Sequence, residues 1–548
     1  MTVATGPSNW VVLKFGGTSV STRSNWENIA RIAQSRRAEG LRVLIVHSAI
    51  SGITDRLESL LGAALAGRGE AVLRDIAERH AQLARELQLE LGSAVERALG
   101  ELREIVHAIE WVREVGDTTR ARVLAAGELM ATDLGWRFLR SQGLPIDWYD
   151  ARTMLTAEQR VGGNQRANVL SATCDFAPDP RLRARLEAGA ECAITQGFIA
   201  SDAAGHTVLL GRGGSDTSAA YFAAKLGARR LEIWTDVPGL FSANPRATPT
   251  ARLLKALHYD EAQEIATAGA KVLHPRCILP VRQYGIPLHV LATQIPQAAH
   301  TEIGAAMPQS AAQVKAVCIK KGVTLVAMES PGMWHQVGFL ADAFAVFKRN
   351  GLSIDQVSTS ETSVTVSLDP QANTLDQHVL GQLVTDLESL CRVQVIGPCA
   401  SVSLVGHNIR GILPRLGAAL EVFDEQRIYM VSQAANDLNL TFVVDEDQGD
   451  RLVEQLHEML IAPARSDAVM GPSWQQLFEG AAPSAPAAEP WWRRRRAQLL
   501  ELMQERDSAY VYDLATVRDR AEALRGLRSV TQVYYAMKAN SHPDVLRT

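Results

Sequence analysis

The sequence has few cysteines, no long apolar segment and no excess of either charge, and each absence excludes a class of protein. Six cysteines are spread over 548 residues without a CxxC pair. In a chain of this length, that usage favours reduced thiols in a cytoplasmic protein over a disulfide scaffold or a zinc site. Apolar runs such as 41–46 are too short to span a bilayer, and residues 1–10 lack the basic and apolar segments of a secretory signal.

The charge balance also limits the partners. Lys and Arg number 56 and Asp and Glu number 60, so the formal net charge is −4. Nucleic-acid binding needs a concentrated basic face, and we therefore expect neither nucleic acid nor a membrane as partner. Hydrophobic residues make up 47% of the chain and charged residues 21%, as in folded globular proteins. At about 150 residues per domain, the length predicts three or four domains.

The first block, 9–304, alternates short β-rich runs with helix-forming stretches, which is typical of a layered α/β sheet. The predicted strands are 11–15, 41–47, 192–198, 207–210, 231–235 and 288–292. Residues 53–115 contain few helix breakers. Their apolar repeat of about 3.6 residues runs through Ile76, Leu83, Leu87 and Leu91, and predicts a packed helical insertion without ligand-type clusters.

The next two blocks have the same order of elements. The predicted elements are helix 338–350, strands 352–359 and 363–368, helix 409–423, strands 428–433 and 438–444, and helix 450–460. Strand, helix, strand, strand, helix, strand is the split βαβ plan, and two copies of it predict paired small domains. The alternative is an ordinary α+β domain with a chance likeness.

A stretch of small residues and prolines, 479–490, cannot supply a core and is predicted to be a semi-rigid linker. Arg493–Arg496 follows it and heads a predicted helix, 497–506. This short basic run is interpreted as the solvated edge of the linker, because an isolated charge run usually lies in solvent.

Two glycine-rich loops carry the chemistry. Lys14-Phe-Gly-Gly-Thr-Ser-Val20 ends the first strand and opens a helix. Its glycines let backbone amides approach phosphate oxygens, and Lys14 adds a point charge. It is not a Walker A loop, since the lysine precedes the glycines. A tight glycine turn beside a surface lysine would explain this loop equally well.

The second loop, Gly211-Arg-Gly-Gly-Ser-Asp216, has the same strand–glycine–helix construction. Arg212 can form a bidentate pair with a carboxylate or phosphate, and Asp216 can pair with a lysine or hold the water shell of a magnesium ion. Two such loops in one α/β domain suit phosphoryl transfer from a nucleotide to an acidic acceptor, since that reaction needs mainly positioning and charge neutralisation.

Seven ordered motifs resemble those of aspartate kinases. They are KFGGTSV at 14–20, SAISGIT at 48–54, GEL at 127–129, TQGFI at 195–199, GRGGSD at 211–216, WTDVPGL at 234–240 and GAKVLHP at 269–275. The resemblance implies an α/β chain with an amino-acid kinase sandwich at 9–304. It also implies two ACT (βαββαβ) domains at 314–398 and 399–465, which act through a dimer or larger oligomer. The implied reaction is ATP + L-aspartate → ADP + 4-phospho-L-aspartate, the first step of the pathway to lysine, threonine and methionine.

The resemblance also implies roles for individual residues. Lys14 would neutralise the transferring phosphoryl group, and Asp216 would hold Lys14 in place. Arg212 would bind the α-carboxylate of aspartate, and Glu128 its ammonium group. A solvent-facing helix position is the alternative for Glu128. The other implied contacts are Thr18, Ser48, Thr54 and Ser215 for aspartate, and Gly16, Gly17, Thr235, Asp236, Phe241, Arg246 and Lys271 for Mg-ATP.

Two positions depart from the family pattern. Phe241 stands where tyrosine is common, and Asn244 stands where aspartate is common before Pro245-Arg246. Both lie on the implied nucleotide side.

The resemblance to lysine-sensitive members implies a site for L-lysine as effector. The implied contacts are Met333, His335, Phe339, Leu340, Ile354, Asp355, Thr359, Ser360 and Glu361. Asp355 and Glu361 are the anions available for a lysine ammonium, and the backbone at a helix N-terminus can bind its carboxylate. The alternative is that both acids are ordinary turn residues.

The last segment, 497–548, follows a predicted linker at 466–496. Its motifs Tyr510-Val-Tyr-Asp513 and Val533–Asn540 resemble the opening of a diaminopimelate decarboxylase, a pyridoxal-phosphate barrel in which Lys538 matches the Schiff-base lysine. A complete barrel needs about 250 residues. We therefore expect an incomplete barrel start without decarboxylase activity, pyridoxal phosphate only in a complete domain, a poorly ordered tail after Glu479, and a longer natural chain.

Two other functions fit these residues. Another amino-acid kinase, such as a glutamate kinase, could use the same fold with a different acidic acceptor. A catalytically silent ACT sensor of amino acids is the alternative from a different class.

Overall fold

The computed structural model describes residues 8–159, 165–270, 272–306, 314–330, 337–370, 372–373, 375, 377–411, 427–461, 467–478, 491, 495–504, 510–525, 532, 534 and 540–548. The chain divides into two units, Met1–Leu477 and Phe478–Thr548. In the described part of the chain, no helix is long and apolar enough to cross a membrane.

The first unit contains eighteen described strands. They are β1 (Trp10–Phe15), β2 (Arg42–His47), β3 (Ile146–Tyr149), β4 (Cys192–Gln196), β5 (Ile199–Ser201), β6 (Thr207–Leu209), β7 (Arg230–Thr235), β8 (Arg252–Leu254), β9 (Ala256–His258), β10 (Leu288–Ala292), β11 (Thr301–Gly304), β12 (Val314–Glu329), β13 (Gln356–Thr359), β14 (Ser363–Leu368), β15 (Arg392–Gly406), β16 (Met430–Gln433), β17 (Asn439–Asp445) and β18 (Met470–Ser473).

The described α-helices cover both units. They are α1 (Arg23–Ala38), α2 (Ile53–Leu65), α3 (Gly69–Glu86), α4 (Ser93–Val112), α5 (Asp117–Ser141), α6 (Gln165–Leu170), α7 (Pro180–Glu187), α8 (Gly214–Leu226), α9 (Tyr259–Thr267), α10 (Ile278–Gln283), α11 (Phe339–Arg349), α12 (Gln377–Glu388), α13 (Gly449–Leu460), α14 (Trp474–Phe478), α15 (Arg496–Leu502), α16 (Leu514–Arg525) and α17 (Pro543–Arg547).

An eight-stranded sheet, in the order β3-β4-β2-β1-β7-β10-β11-β9, forms the centre of the first block. β1 pairs in parallel with β2 and β7, and all six of its residues are buried. Strands covered on both faces are continuously apolar, which is why the predicted runs are confirmed to within about two residues. Because β1 and β2 are parallel, the loops that follow them leave the same edge of the sheet.

The helical prediction for 53–115 is confirmed by α2, α3 and α4. Ile76, Leu83 and Leu87 are at most 3% exposed, and Leu91 packs on the same core as a partly buried residue. The apolar repeat therefore marks the buried face of these helices.

The two predicted βαββαβ copies share one six-stranded sheet, in the order β13-β14-β12-β15-β17-β16. The long strands β12 and β15 pair antiparallel along their whole length. The first part of β12, 314–323, lies opposite 399–406 of β15, and the second part, 325–329, lies opposite 392–396. β17 pairs with 399–405 only, and β14 with 324–329 only.

This pairing corrects the boundaries predicted at 314–398 and 399–465. Residues 314–323 belong to the second copy, so the first copy is inserted into it. A sequence boundary cannot show this, because one continuous strand serves both copies. The second copy also shares its core with the first block, since Val317, Val402 and Leu452 belong to the same apolar cluster as Leu13.

The predicted linker 466–496 is wrong in its first part. Val469 and Met470 are fully buried, and β18 pairs antiparallel with β8. Arg252 donates from Nε to the Gly471 carbonyl oxygen at 3.0 Å. Residues 467–477 are therefore a folded part of the first unit, while 479–490 lie outside the described residues.

In the second unit, α15, α16 and α17 are the described elements. Asp513 accepts a hydrogen bond from the Thr516 backbone N–H at 2.8 Å, which is the contact of a helix N-cap. Lys538 lies outside the described residues, as does most of the predicted helix 409–423.

Candidate active site

Lys14 lies near the carboxyl end of β1, and the glycines after it turn the chain toward the loop that follows β2. A Cβ on Gly17 would lie 2.9 Å from the Ala49 carbonyl oxygen. This close approach requires glycine, because real Cβ atoms do not come so near to backbone oxygen. The loop of Lys14 and the loop of Ser48 thus form one wall of the site.

The second glycine loop opens α8. Gly213 has φ +65°, and a Cβ at this position would lie 2.1 Å from the His274 ring. The position needs glycine both for its left-handed backbone and for space. Ser215 and Asp216 follow in the first turn of α8 and are both buried. The turn thus presents a hydroxyl and a carboxylate next to the helix N-terminus, where anions bind favourably.

Lys14 and Asp216 join the two loops. Lys14 Nζ lies 2.7 Å from Asp216 Oδ1, and the side chains are only 11% and 12% exposed. Asp216 Oδ2 accepts a hydrogen bond from the His274 backbone N–H at 3.3 Å. The aspartate therefore fixes the ammonium group of Lys14 where both glycine loops meet.

Further polar contacts join the loop after β2 to α8 and α5. Ser48 Oγ donates to Ser215 Oγ at 2.9 Å, and the Ala49 backbone N–H donates to Glu128 Oε1 at 3.2 Å. Glu128 is 2% exposed, so the solvent-facing alternative is wrong. Its Oε2 has no hydrogen-bond partner among the described residues, and burial raises its pKa to about 8.

The other residues predicted for the acceptor surround these groups. Thr54 is half-buried in the first turn of α2, and Thr18 and Arg212 are exposed. The positive charge of Arg212 acts on His274, whose pKa is lowered first by burial and further by Arg276 and Arg212. Arg212 is thus electrostatically part of the same site.

Four of the residues predicted for the nucleotide line a cavity of about 730 Å³, namely Thr235, Asp236, Phe241 and Arg246. Gly16 and Gly17, which the structure also describes, are not among its lining residues. This volume lies within the range of about 300–1,000 Å³ that is usual for ligand pockets. Arg246 Nη2 lies 2.6 Å from Asp236 Oδ2. The Phe241 ring packs edge to face on Trp474, at 5.4 Å between centroids. The first residue of α14 therefore covers part of the Phe241 side chain. Lys271 lies outside the described residues.

The residues predicted to bind the effector differ in their exposure to solvent. Phe339, the first residue of α11, is buried, whereas Leu340 is 43% exposed. Ile354 is half-buried, whereas Thr359, Ser360 and Glu361 are exposed at the β13–β14 turn. Met333 and His335 lie outside the described residues.

Asp355 has a partner that the sequence did not indicate. Lys320 Nζ lies 3.1 Å from Asp355 Oδ2 and 2.9 Å from Asp369 Oδ2. The sequence analysis takes Asp355 as an anion available to a lysine ammonium group, whereas the structure already pairs it with Lys320. The two carboxylates outweigh the burial of Lys320, and the pKa of its ammonium group is raised.

Sequence reasoning missed four residues that belong to this region. His274 supports Asp216, although it lies in the quoted motif GAKVLHP. Lys320, Lys321 and Asp450 also line the 730 Å³ cavity. They come from β12 and α13, so no local motif could assign them to a nucleotide pocket.

Comparison with known proteins gives the family. The model of the amino acid kinase family matches residues 9–292. Lysine-sensitive aspartokinase 3 of Escherichia coli is 33% identical over 83% of this chain and 99% of its own length. Aspartokinase 1 of Arabidopsis thaliana chloroplasts is 30% identical over 82% of this chain and 79% of its own length.

Solved structures agree with these relatives. Escherichia coli aspartokinase III in complex with aspartate and ADP, in the R-state, has a TM-score of 0.72 at 32% identity, over 82% of this chain and 99% of that chain. The same enzyme in complex with lysine and aspartate, in the T-state, has a TM-score of 0.65 at 31% identity, over 83% of this chain and all of that chain.

Proposed function

Because this chain belongs to the amino acid kinase family and matches aspartokinases over most of its length, we propose that it is an aspartokinase, which transfers the γ-phosphoryl group of ATP to the side-chain carboxylate of L-aspartate. The observation that carries this proposal is the Lys14–Asp216 pair of 2.7 Å at the junction of two glycine loops. Mg²⁺ enters as part of the Mg-ATP substrate.

The catalytic contribution of the chain is positioning and charge neutralisation. Lys14 binds the transferring phosphoryl group, with an amide donor at Gly17, and Asp216 holds the lysine in that position. The Gly16 N–H already donates to the Trp234 carbonyl oxygen at 3.4 Å. This arrangement stabilises negative charge in a partly water-excluded site, where electrostatic interactions are strong. The attacking group is a carboxylate, so no side chain needs to remove a proton from the acceptor.

Aspartate is recognised by opposite charges at its two ends. Arg212 binds the α-carboxylate. Glu128 Oε2, which is buried and has no hydrogen-bond partner among the described residues, accepts a hydrogen bond from the ammonium group. Ser48, Ser215, Thr18 and Thr54 line the space between them. The nucleotide lies in the 730 Å³ cavity, where Arg246 binds its phosphates beside Thr235, Asp236 and Phe241. The resemblance to aspartate kinases assigns a further phosphate contact to Lys271.

The acceptor assay tests the proposal. ADP release is measured with L-aspartate and with L-glutamate, and the acyl phosphate is trapped with hydroxylamine. We expect turnover with aspartate, and a decrease in kcat of about 10²–10³-fold in Lys14→Ala. Faster turnover of glutamate would support a glutamate kinase, and no ADP release with either acceptor would support a silent sensor.

Lys225→Ala is the matched control. Lys225 lies at the end of α8 opposite to Asp216 and is about as buried as Lys14, and it pairs at 3.3 Å with Asp175, whose side chain is 57% exposed. The Lys225→Ala variant therefore measures the effect of removing a buried lysine that lies outside the site. If both variants lost activity equally, the role of Lys14 would be structural only.

We further propose L-lysine as a feedback inhibitor that binds at the β13–β14 turn. Two observations support this: the lysine-sensitive relative named above, and the exposed carboxylate of Glu361 beside Thr359 and Ser360. Glu361→Ala should keep kinase activity and raise the lysine concentration needed for half inhibition. Exposed Glu388, at the end of α12, gives the control Glu388→Ala, and unchanged lysine sensitivity in Glu361→Ala would refute this site.

A homodimer or larger oligomer is proposed through the edge of the six-stranded sheet. β13 is an edge strand there, and its Val357 is 40% exposed. Such an edge can pair with a second chain. Light scattering after size exclusion should give at least twice 59.6 kDa, and a monomer would refute it.

A cytoplasmic location is proposed because all six cysteines are unpaired. The likeness of 497–548 to a diaminopimelate decarboxylase rests on its short motifs alone, and we propose that this segment has no decarboxylase activity. Carbon dioxide release from diaminopimelate, with added pyridoxal phosphate, would contradict that.

A further inference from the structure

Three potential metal ligands lie together at the β10–β11 hairpin, away from the Lys14–Asp216 pair in sequence and in the sheet. His289 on β10 and Glu302 on β11 are opposite each other in the strand register, and His300 precedes β11. Their ligand atoms all lie within 4.8 Å of one another, and in the described part of the chain this is the one such group of three.

The distances fit a tetrahedral ion. His289 Nδ1 lies 3.3 Å from His300 Nε2, and His300 Nε2 lies 3.5 Å from Glu302 Oε1. Zinc bonds of about 2.0–2.1 Å at tetrahedral angles place two ligand atoms about 3.3–3.4 Å apart. Two of the three ligand spacings are therefore already present. The third, between His289 and Glu302, is at most 4.8 Å, and the Glu302 side chain is 50% exposed.

The surroundings permit a cation. Arg36 and Arg230 are the nearby positive charges that act on His289. Both are paired with Glu232, at 2.8 and 2.6 Å, and with Glu39, at 2.8 Å each. Two arginines therefore face two carboxylates.

The site has an entry path. His300 lines a cavity of about 520 Å³ together with Arg36, Glu39 and Trp234. A cavity of this size admits hydrated ions and leaves room for water at a fourth coordination position.

We propose that His289, His300 and Glu302 bind one Zn²⁺ ion, with water as the fourth ligand. Two imidazoles and one carboxylate suit borderline divalent metals such as Zn²⁺, Co²⁺ and Ni²⁺ more than Mg²⁺, which prefers oxygen ligands. The ion cross-links β10 to the segment that enters β11, just before the chain leaves the first block. Among the described residues, none of the six cysteines belongs to a group of three potential ligands.

The test uses the full chain without an affinity tag, after dialysis against a chelator. Calorimetric titration with ZnCl₂ should give one ion per chain. Titration with CoCl₂ should give the strong visible absorption of tetrahedral Co²⁺. His289→Ala and His300→Ala should abolish both signals. Glu302→Gln should weaken Zn²⁺ affinity by more than about tenfold, since even outer-shell changes cost about 10–100-fold.

His206→Ala is the matched control. His206 forms an exposed pair with Asp202 at 3.1 Å and belongs to no group of three ligands among the residues described. This variant should bind Zn²⁺ like the unaltered chain. Circular dichroism checks that the histidine variants fold, and the half-exposed Glu302 provides a change that leaves the core intact. Absence of one-to-one binding in the unaltered chain, or equal binding in all four variants, would overturn the proposal.

Discussion

Burial changes the acidity of the Glu128 carboxyl group. It lies in α5 with 2% exposure, and desolvation raises the pKa of its carboxyl group to about 8. Neutral pH therefore leaves Glu128 largely protonated when no ligand is bound. A buried carboxyl of this kind is common at functional sites, because a ligand cation restores the partner that water no longer provides.

This environment predicts the pH dependence of aspartate use. The proposed binding of the substrate ammonium group requires ionised Glu128, so kcat/KM for aspartate should rise with pH between 7 and about 8.5 and then level off. Glu128→Gln should raise KM for aspartate and remove this limb of the profile. Initial rates over a pH series measure both effects. Exposed Glu104→Gln on α4 is the control, and an unchanged profile in Glu128→Gln would refute the role.

The same pKa has an independent effect on stability. Glu128 is protonated more readily in the folded than in the unfolded chain, so its ionisation destabilises the fold as pH rises from the ordinary value of 4.5 toward 8. The unfolding temperature of Glu128→Gln relative to the unaltered chain should therefore increase over this interval. Differential scanning fluorimetry measures the difference, and a constant difference across the interval would contradict the buried position.

Gly213 allows steric contact to be separated from backbone strain. Gly213→Ala places a Cβ against the His274 ring in a backbone with φ +65°, whereas Gly227→Ala meets open space at φ +59°. A left-handed alanine costs about 1–2 kcal/mol in either case. Only Gly213→Ala should also reduce kcat strongly, because it displaces the loop that carries Asp216. Equal kinetics in the two variants would mean that the His274 contact has no effect on catalysis.

At the scale of elements, the strands of the first block follow from composition, but β18 does not. Residues 466–496 contain turn and linker residues, and we predicted a linker. The structure instead buries Val469 and Met470 completely by pairing β18 with β8. A four-residue strand is too short for a periodic signal, and only its partner strand, more than two hundred residues earlier, specifies it.

Met470→Ala tests this element. Removing a fully buried methionine costs about 2–5 kcal/mol in the free energy of unfolding, whereas a solvated linker would tolerate it. Chemical denaturation followed by tryptophan fluorescence gives the value. Met459→Ala is the control, because Met459 is 40% exposed on α13. Equal stability of the two variants would mean that 467–478 does not pack.

At the scale of the whole molecule, buried histidines limit stability in acid. His47, His80 and His457 are fully buried, and desolvation lowers the pKa of each to about 4. Each is neutral in the fold, so its contribution to stability is complete above its ordinary pKa of 6.5. That contribution is lost as pH falls from 6.5 to 4, since the unfolded chain binds the proton first.

His457 connects the second βαββαβ copy to the first block, because its Nε2 lies 2.8 Å from Ser242 Oγ. In His457→Gln, the slope of the unfolding free energy against pH should be smaller between pH 6.5 and 4. The decrease should be up to about 1.4 kcal/mol per pH unit, which corresponds to one bound proton. Denaturation curves over this pH range measure the slope. His107, exposed on α4, gives the control His107→Gln, and an unchanged slope in His457→Gln would contradict its neutral burial.

The sequence alone determined the local features of this protein. Its apolar runs specify the strands of a sheet covered on both faces, its 3.6-residue repeat specifies the buried side of α2–α4, and its glycine loops indicate phosphate chemistry, because these signals depend on neighbours in the chain. Tertiary structure alone decided the contacts between distant segments. Folding brings together residues that no local pattern connects. It decides that one strand serves both βαββαβ copies and that Met470 is buried. It also decides that Lys320 pairs with Asp355 and that His289 meets His300 and Glu302.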